Sequence, residues 1–415
     1  MIQFDVAIIG GGLSGLLCGI TLQNKGLKCV IFSSGECSLI ISPGSFDLLG
    51  KAGGKPVDKP LEALHLLSER HPYNKIGAAR LEELTGAVPA VLSGCGIAVT
   101  GTNKRNMQRI TPIGKMKSCW LSLEEMFSVK PDDVLPDKVL IAEIEGFLDL
   151  NTAFVAEALE KMGCRCRIAL LASEDLTELR KNSAEFRSIS IARLTDRPGV
   201  LEAIAESLKE QVRGEELILV PSAFGLRNGE AVNYLTKKTG VKVKSLATLP
   251  PSTTGIRIRS KLKAAFEAAG GIFIQGDNVE TADIAQNKVK AIYTQELEND
   301  PIVAENYVLA SGSFLGRGLR SDMSHIYEPV FGADVISAAG REYWYSPDFL
   351  SPQAYESFGV ATDSQFRLSI DGQTIENLYG IGMVLGGMDV IEEQSKEGVE
   401  TATALAVSSE IISRK

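Results

Sequence analysis

The chain has 415 residues, 44% hydrophobic and 23% charged, with a formal net charge of −9, an ordinary globular composition long enough for two interleaved domains. Its acidity argues against nucleic acid as a principal partner, because phosphate-backbone binding draws on clustered Lys and Arg. No apolar run reaches the roughly 18 residues that span a bilayer, MIQFDVAIIGGG lacks the flanks of a signal peptide, and seven cysteines without a regular framework point to reduced thiols in a cytoplasmic chain.

The opening FDVAIIGGGLSGLLCGITLQNKGLKCVIFSS reads as strand, glycine turn, helix and strand. Val6 to Ile9 form a continuous apolar run suited to a strand buried on both faces. A helix is predicted from about Ser14 to Asn24 with Gly26 as its C-terminal cap, and the next strand over 27 to 33. Gly10, Gly12 and Gly15 fill G-x-G-x-x-G where strand meets helix, with Leu13 and Ser14 beside them. The first glycine permits the tight turn, the second lets backbone approach a phosphate, and the third lets helix pack on strand. A pyrophosphate there meets free N–H groups and the positive end of the helix dipole.

Residues 50 to 90 turn polar, with KAGGKPVDKP as a loop and LEALHLLSER as an amphipathic helix that leaves His65 and His71 solvated. From 137 to 250 a second α/β layer is expected: DKVLIAEIEG and EELILVPS as strands, NTAFVAEALEKMG and RPGVLEAIAESLKEQVRG as helices. Cys164 and Cys166 in GCRCR match neither the redox nor the zinc spacing, so no metal site and no iron–sulfur cluster is expected. A return to the first domain is expected from about 255, through the helix RSKLKAAFEAAGG and the strands GIFIQG and ENYVLASGSF, while the aromatic stretch 325 to 365 is assigned to the second domain.

Two distant stretches favour a flavin over a nicotinamide: VLASGSF (308 to 314), and NLYGIGMVLGG (377 to 387) with the helix after it. They resemble the later cofactor contacts of two-domain flavoproteins, which implies Ala310, Gly312, Gly382, Met383, Gly398 and Val399 beside the flavin. Ser42, Gly44 and Ser45 in SPGSFDLL are expected against the flavin ring. The strand after the glycine turn ends in Ser33 and Ser34 where an acid usually holds the adenosine ribose, with Glu36 late, and Met383 replaces an acid near the ribityl chain. The first departure predicts FMN, which has no adenosine ribose; the complete glycine turn suits the pyrophosphate of FAD, kept as the alternative.

Basic residues gather around two further points. Arg109, Lys115 and Lys117 flank a Pro-Gly turn, and Arg257 and Arg259 alternate in GIRIRS, sharing a face if that segment is a strand. Such groups suit a phosphate dianion or reduced flavin; a solvated face is the alternative. His325, beside YEPVFG, is the candidate base for oxidising a secondary alcohol, and Arg187 and Arg193 are weaker candidates for substrate or interface contact.

The strings IIGGGLSGLLCGITLQNKGL, SPGSFDLL, RITPIGKMKSCWLS, EFRSISIARLTD, LPPSTTGIRIRSKL, LASGSF and GQTIENLYGIGMVLGGMD, spread in order over the chain, resemble the family of B subunits of anaerobic glycerol-3-phosphate dehydrogenase, within the fumarate reductase-like flavoproteins. The resemblance implies an α/β fold: a Rossmann-like flavin-binding domain over 1–130, 255–325 and 365–415, and an inserted second α/β (α+β) domain over 131–254 and 326–364. It further implies a flavin-containing member of a respiratory complex that oxidises sn-glycerol 3-phosphate to dihydroxyacetone phosphate. The flavoprotein A subunit of that complex and its iron–sulfur C subunit would be the partners, passing electrons to a quinone in fumarate or nitrate respiration and attaching the chain peripherally to the inner membrane. Two other readings stand beside it: a redox-silent assembly protein with a degenerate nucleotide fold, and an independent flavin-dependent dehydrogenase or reductase.

Overall fold

The computed structural model describes residues 2–227, 229–297 and 300–415. The chain forms two compact units, the first from Met1–Ser38, Asp47–Gly96 and Lys261–Lys415, the second from Leu39–Phe46 and Ile97–Ser260. These bounds differ from the expected ones in four places. Residues 39–46, 97–130 and 255–260 fall in the second unit, and the aromatic stretch 326–364 falls in the first.

The first unit is built on an eight-stranded mixed sheet. Strand β1 (Ile2–Ile9) lies at its centre, parallel to β2 (Cys29–Ser33) on one side and to Ile302–Leu309 on the other. Ile272–Gln275 extends the parallel set beyond β2, and Gln373–Gly380 joins it beside Ile302–Leu309. Val6, Ala7 and Ile8 are fully buried, as a strand covered on both faces requires. Helix α1 (Leu13–Gln23) crosses from β1 to β2. Gly19 lets it close on the sheet, since a Cβ there would stand 2.9 Å from both Ile31 and Phe266. The terminal helix Lys396–Ser413 packs against α1, with Ala402, Ala404 and Val407 fully buried.

The second unit has a four-stranded parallel sheet in the order Arg165–Leu171, Lys138–Ile144, Leu217–Pro221, Lys242–Leu246. Helices Thr152–Lys161, Val200–Gln211 and Ala231–Thr239 supply Leu159, Ile204, Leu208 and Leu235 to its core. Two small antiparallel sheets accompany it: Met107–Ile110 between Ser128–Val129 and Met116–Cys119, and Leu121–Leu123 between Ser45–Phe46 and Val99–Gly101.

Two expected elements differ. LEALHLLSER forms two single 3-10 turns, Pro60–Glu62 and Leu64–Leu66, and no helix. GIRIRS is helical, inside Thr253–Ala268. Its two-residue alternation suits a strand, but the Ser252 Oγ accepts the Gly255 N–H at 3.1 Å as an N-terminal cap. Ile258, Leu262 and Phe266 then bury one stripe at helical spacing.

Candidate functional site

The glycine turn leaves β1 at the carboxyl edge of the parallel strands, where ligands of open α/β sheets bind. Gly10 has φ +125° and a Cβ there would stand 2.1 Å from the Ala310 carbonyl oxygen; a Cβ on Gly15 would stand 1.9 Å from the Gly10 carbonyl oxygen. Gly12 is different. It precedes α1 with φ −85°, a conformation any residue adopts, and a Cβ on it would find only the Cys37 Cβ, at 3.8 Å. The chain itself leaves that side open, which is what the approach of a phosphate to the backbone requires.

Three segments converge on this turn. The Ala310 N–H donates to the Ile9 carbonyl at 2.8 Å, and the Ile381 N–H to the Leu309 carbonyl at 2.9 Å. A Cβ on Gly382 (φ +69°) would stand 2.5 Å from the Ser14 Oγ, and the Gly382 N–H donates to the Thr403 Oγ1 at 2.9 Å. Gly312, at φ +81°, begins the turn after Ser311, whose Oγ is buried without a partner. Met383 is half-buried in the 3-10 turn Gly382–Val384. Gly398 opens the terminal helix against Asp47 and Leu48, its N–H donating to the Asp47 carbonyl at 2.8 Å, with Val399 fully buried next to it. A cradle with glycines at the points of closest backbone approach and one orphaned buried hydroxyl fits a flavin nucleotide.

At the end of β2 the two serines part company. Ser33 is buried, its Oγ donating to the Gly35 carbonyl at 3.2 Å, and it fills the space a Cβ on Gly11 would need. Ser34 and Glu36 are exposed. A bulkier acid at 33 would press on the glycine turn.

Ser42, Gly44 and Ser45 lie in the second unit. Gly44 (φ +80°) packs against Met126 and Thr254, and the Ser45 Oγ is buried without a partner. Arg257 and Arg259 do not share a face, because neighbours two apart on a helix point about 200° apart. Arg257 is buried, ion-paired with Glu125 and donating to the Gly225 carbonyl at 3.0 Å; Arg259 is half-buried. Arg187 is bound to Asp149 at 2.8 Å. His325 sits in the first unit, its side chain 73% exposed and 3.0 Å from the Asp322 carboxylate, and among the described residues no contact brings it to the glycine turn. Arg109 is buried on the strand Met107–Ile110, directly opposite Lys117.

Sequence reasoning missed a buried charged group in the first unit. Lys396 lies 3.4 Å from Glu397 and 3.8 Å from Glu400, with Glu400 against Gly382. Burial pushes the Glu400 carboxyl up to about 7, against the pull of Lys396. Burial also works against the Lys396 ammonium, but Glu400 and Glu397 outweigh it and hold it above its ordinary value. The spacing Lys-Glu-x-x-Glu looks like a solvated helix start, and only the packing reveals otherwise. His71 is likewise buried: it accepts the Tyr73 N–H at 3.0 Å and meets the Glu393 carboxylate at 3.1 Å.

Among the described residues no cluster of His, Cys, Asp or Glu could hold a metal ion, and no helix is long and apolar enough to cross a membrane. The sequence matches the family described as FAD binding domain over residues 5–399, so the preference for FMN is not supported by that match. The B subunit of anaerobic glycerol-3-phosphate dehydrogenase from Pectobacterium carotovorum subsp. carotovorum (strain PC1) is 40% identical, over 99% of each chain. The protein of the same name from Haemophilus influenzae (strain 86-028NP) is 36% identical, over 99% of this chain and 100% of its own. Among solved structures, 3-ketosteroid delta1-dehydrogenase from Sterolibacterium denitrificans is 10% identical over 100% of both chains, with a TM-score of 0.45. With a flavin-binding domain over nearly its whole length and relatives of this identity over full length, the chain belongs to the family of anaerobic glycerol-3-phosphate dehydrogenase B subunits.

Proposed function

We propose that this chain is the flavin-bearing member of a complex that oxidises sn-glycerol 3-phosphate to dihydroxyacetone phosphate. The observation that carries the reading is the convergence of Gly10, Ala310 and Gly382 on one turn whose Gly12 side is left open, in a chain whose relatives carry the dehydrogenase name. A bound flavin supplies a two-electron acceptor for oxidation of the secondary alcohol to the ketone. The turn through Gly10 and Gly12 would hold its phosphates on the open Gly12 side, with Gly15 packing the helix behind it, and Gly382, Gly398 and Val399 would line the rest. We take the flavin to be FAD: the matched family is described as an FAD binding domain, and a complete glycine turn is shaped for a pyrophosphate. A second flavoprotein, the A subunit of the dehydrogenase, and an iron–sulfur C subunit complete the complex, carry electrons to a quinone and attach it to the membrane.

The test is mass spectrometry of the flavin released from the purified chain, together with turnover of the co-purified complex on glycerol 3-phosphate. FAD and substrate-dependent bleaching are expected; FMN alone overturns the FAD assignment. Full turnover after Gly12→Val has stripped the flavin overturns a redox role. The second reading, a redox-silent assembly protein, draws on the loss of an acid at Ser33 and at Met383; a colourless isolated chain and complex with undiminished turnover would establish it.

A further inference from the structure

Glu400 stands at the start of the second turn of the terminal helix Lys396–Ser413, in the first unit. It is 4% exposed, and its Oε2 is buried without a hydrogen-bond partner. The Lys396 Nζ stays 3.8 Å away and donates instead to Glu397 at 3.4 Å. Two other buried carboxylates of the same unit are satisfied. Glu328, 2% exposed, accepts the N–H groups of Val330 and Phe331 at 2.9 and 2.7 Å, and Glu397 accepts the Asp47 N–H at 3.2 Å. A buried acceptor without a donor is costly, and the donor that relieves it at Glu400 must come from outside the chain.

The Glu400 side chain reaches the turn at Gly382. One point, where a Cβ on Gly382 would stand, lies 2.5 Å from the Ser14 Oγ and 3.5 Å from the Glu400 Cγ. Ser14 is in the first turn of α1, two residues beyond Gly12, whose outer side is open. The acid, the hydroxyl and the open turn are thus gathered at one end of α1, within a single unit. An ionised carboxylate repels phosphate, so Glu400 does not serve that part of a nucleotide. It takes hydroxyl or N–H donors. In a flavin nucleotide the stretch next to the phosphates is the polyol chain, whose hydroxyls are donors of that kind. Met383, beside Gly382, offers them no carboxylate.

We propose that Glu400, with Ser14 beside it, binds the polyol hydroxyls of the flavin and supplies from the terminal helix the acceptor missing at Met383. That the ligand is a flavin rests on the function proposed above, whereas the need for a donor rests on the buried carboxyl alone. Burial pushes the Glu400 carboxyl up to about 7 within the chain itself. Hydroxyls donating to it favour the ionised form and draw it back down. Flavin binding then releases a proton, so affinity rises with pH below about 7 and levels off above it. Other ionisable groups lie around the same helix. They are Lys396 and Glu397 on the helix itself, Asp47, Glu393 and His71 on the segments packed against its start, and Cys18 of α1, whose thiol burial pushes up to about 12. Glu400→Gln separates Glu400 from all of these.

The test titrates the full chain, freed of flavin, with FAD by calorimetry between about pH 5.5 and pH 8, a range in which the FAD pyrophosphate stays ionised. Glu400→Leu is expected to weaken FAD binding by about tenfold or more, the loss of hydrogen bonds to a charged group. Glu400→Gln is expected to keep part of the affinity and to abolish its pH dependence, which in the parent is a rise of about threefold or more between about pH 5.5 and pH 7.5. Where a Glu400 variant fails to fold, Ser14→Ala replaces it, with a loss of about threefold expected and no loss overturning the site. Unchanged FAD affinity in both Glu400 variants overturns the proposal. So does a parent that binds FAD more tightly at low pH, because the carboxyl would then be the donor. FAD binding that depends on Glu400 in a complex inert toward glycerol 3-phosphate would sink the proposed dehydrogenase and leave this site standing; intact oxidation with FAD affinity indifferent to Glu400 would do the reverse. A parent that binds no flavin would overturn both.

Discussion

Gly15 is pressed against Gly10 so closely that a methyl group on it would stand 1.9 Å from the Gly10 carbonyl oxygen, while Gly12 between them has open space on its outer side. The two serve different ends, one the packing of α1 on the turn and the other the room for a ligand. Gly15→Ala should therefore destabilise the chain by at least about 1–3 kcal/mol, the cost of overpacking. Gly12→Ala should leave the melting temperature of the flavin-free chain unchanged and weaken flavin binding by about tenfold or more. Thermal unfolding and flavin titration of both variants check this, and equal losses of stability would refute the division.

The Glu400 carboxyl predicts a pH dependence. Burial raises it from its ordinary value of 4.5 to about 7, so between those values the folded chain binds a proton that the unfolded chain releases. Stability accordingly falls as pH rises through that window, and the cost is complete above about 7. Glu400→Gln removes the titration and leaves Lys396 its contact with Glu397 at 3.4 Å. Its melting temperature relative to the parent should rise by about 2 °C or more between pH 5 and pH 8. A constant difference across that range would count against a raised carboxyl.

Arg257 is a structural cation by its surroundings. Glu125 and the carbonyl oxygens of Phe224 and Gly225 take up its donors. Arg257→Ala should cost about 3–5 kcal/mol by breaking a buried ion pair and removing donors from the Phe224 and Gly225 carbonyls. A rise in KM at unchanged denaturant midpoint would instead place Arg257 at the substrate.

His325 faces solvent beside Asp322, and the hydrogen bond from His325 holds the Asp322 carboxyl well below the usual carboxylate range. His325→Gln should change turnover of the complex by less than about twofold and shift no limb of its pH–rate profile. Loss of the acidic limb, with turnover falling far more than twofold, would restore His325 as the base.

The parts of the fold set by neighbours in sequence were readable from the chain alone. The βαβ opening and its glycines need only hydrophobic runs and turn chemistry, and two of the four strands of the second sheet, Lys138–Ile144 and Leu217–Pro221, with the helices Thr152–Lys161 and Val200–Gln211, follow from the same signals. What escaped depends on distant packing. The alternation in GIRIRS obeys a two-residue period, yet the cap at Ser252 and the stripe Ile258, Leu262, Phe266 make it a helix. The aromatic stretch 326–364 carries no marker of which unit it joins. Charged residues such as Lys396 and Glu400 read as surface until the segments that bury them, Asp47–Leu48 and Gly382, are seen to arrive from elsewhere in the chain. The turn geometry at the glycines was legible because each answers to backbone constraint, whereas the surroundings of Arg187 and Arg257 were not, because Asp149 and Glu125, which pair with them, are distant in the chain.

The short excursion Leu39–Phe46 has a consequence for how this protein can be taken apart. The chain changes unit after Ser38, Phe46, Gly96 and Ser260, and Ser45–Phe46 pairs with Leu121–Leu123 of the later segment. Excising 97–260 would strip those two residues of their strand partner and leave the hydroxyl of Ser45 and the backbone of Phe46 without their surroundings. Neither half can be produced as one contiguous fragment, and neither can be exchanged for a homologous half at fewer than four junctions. Chimeras with relatives should therefore fail when cut once, and should fold only when the excursion travels with the segment it pairs to.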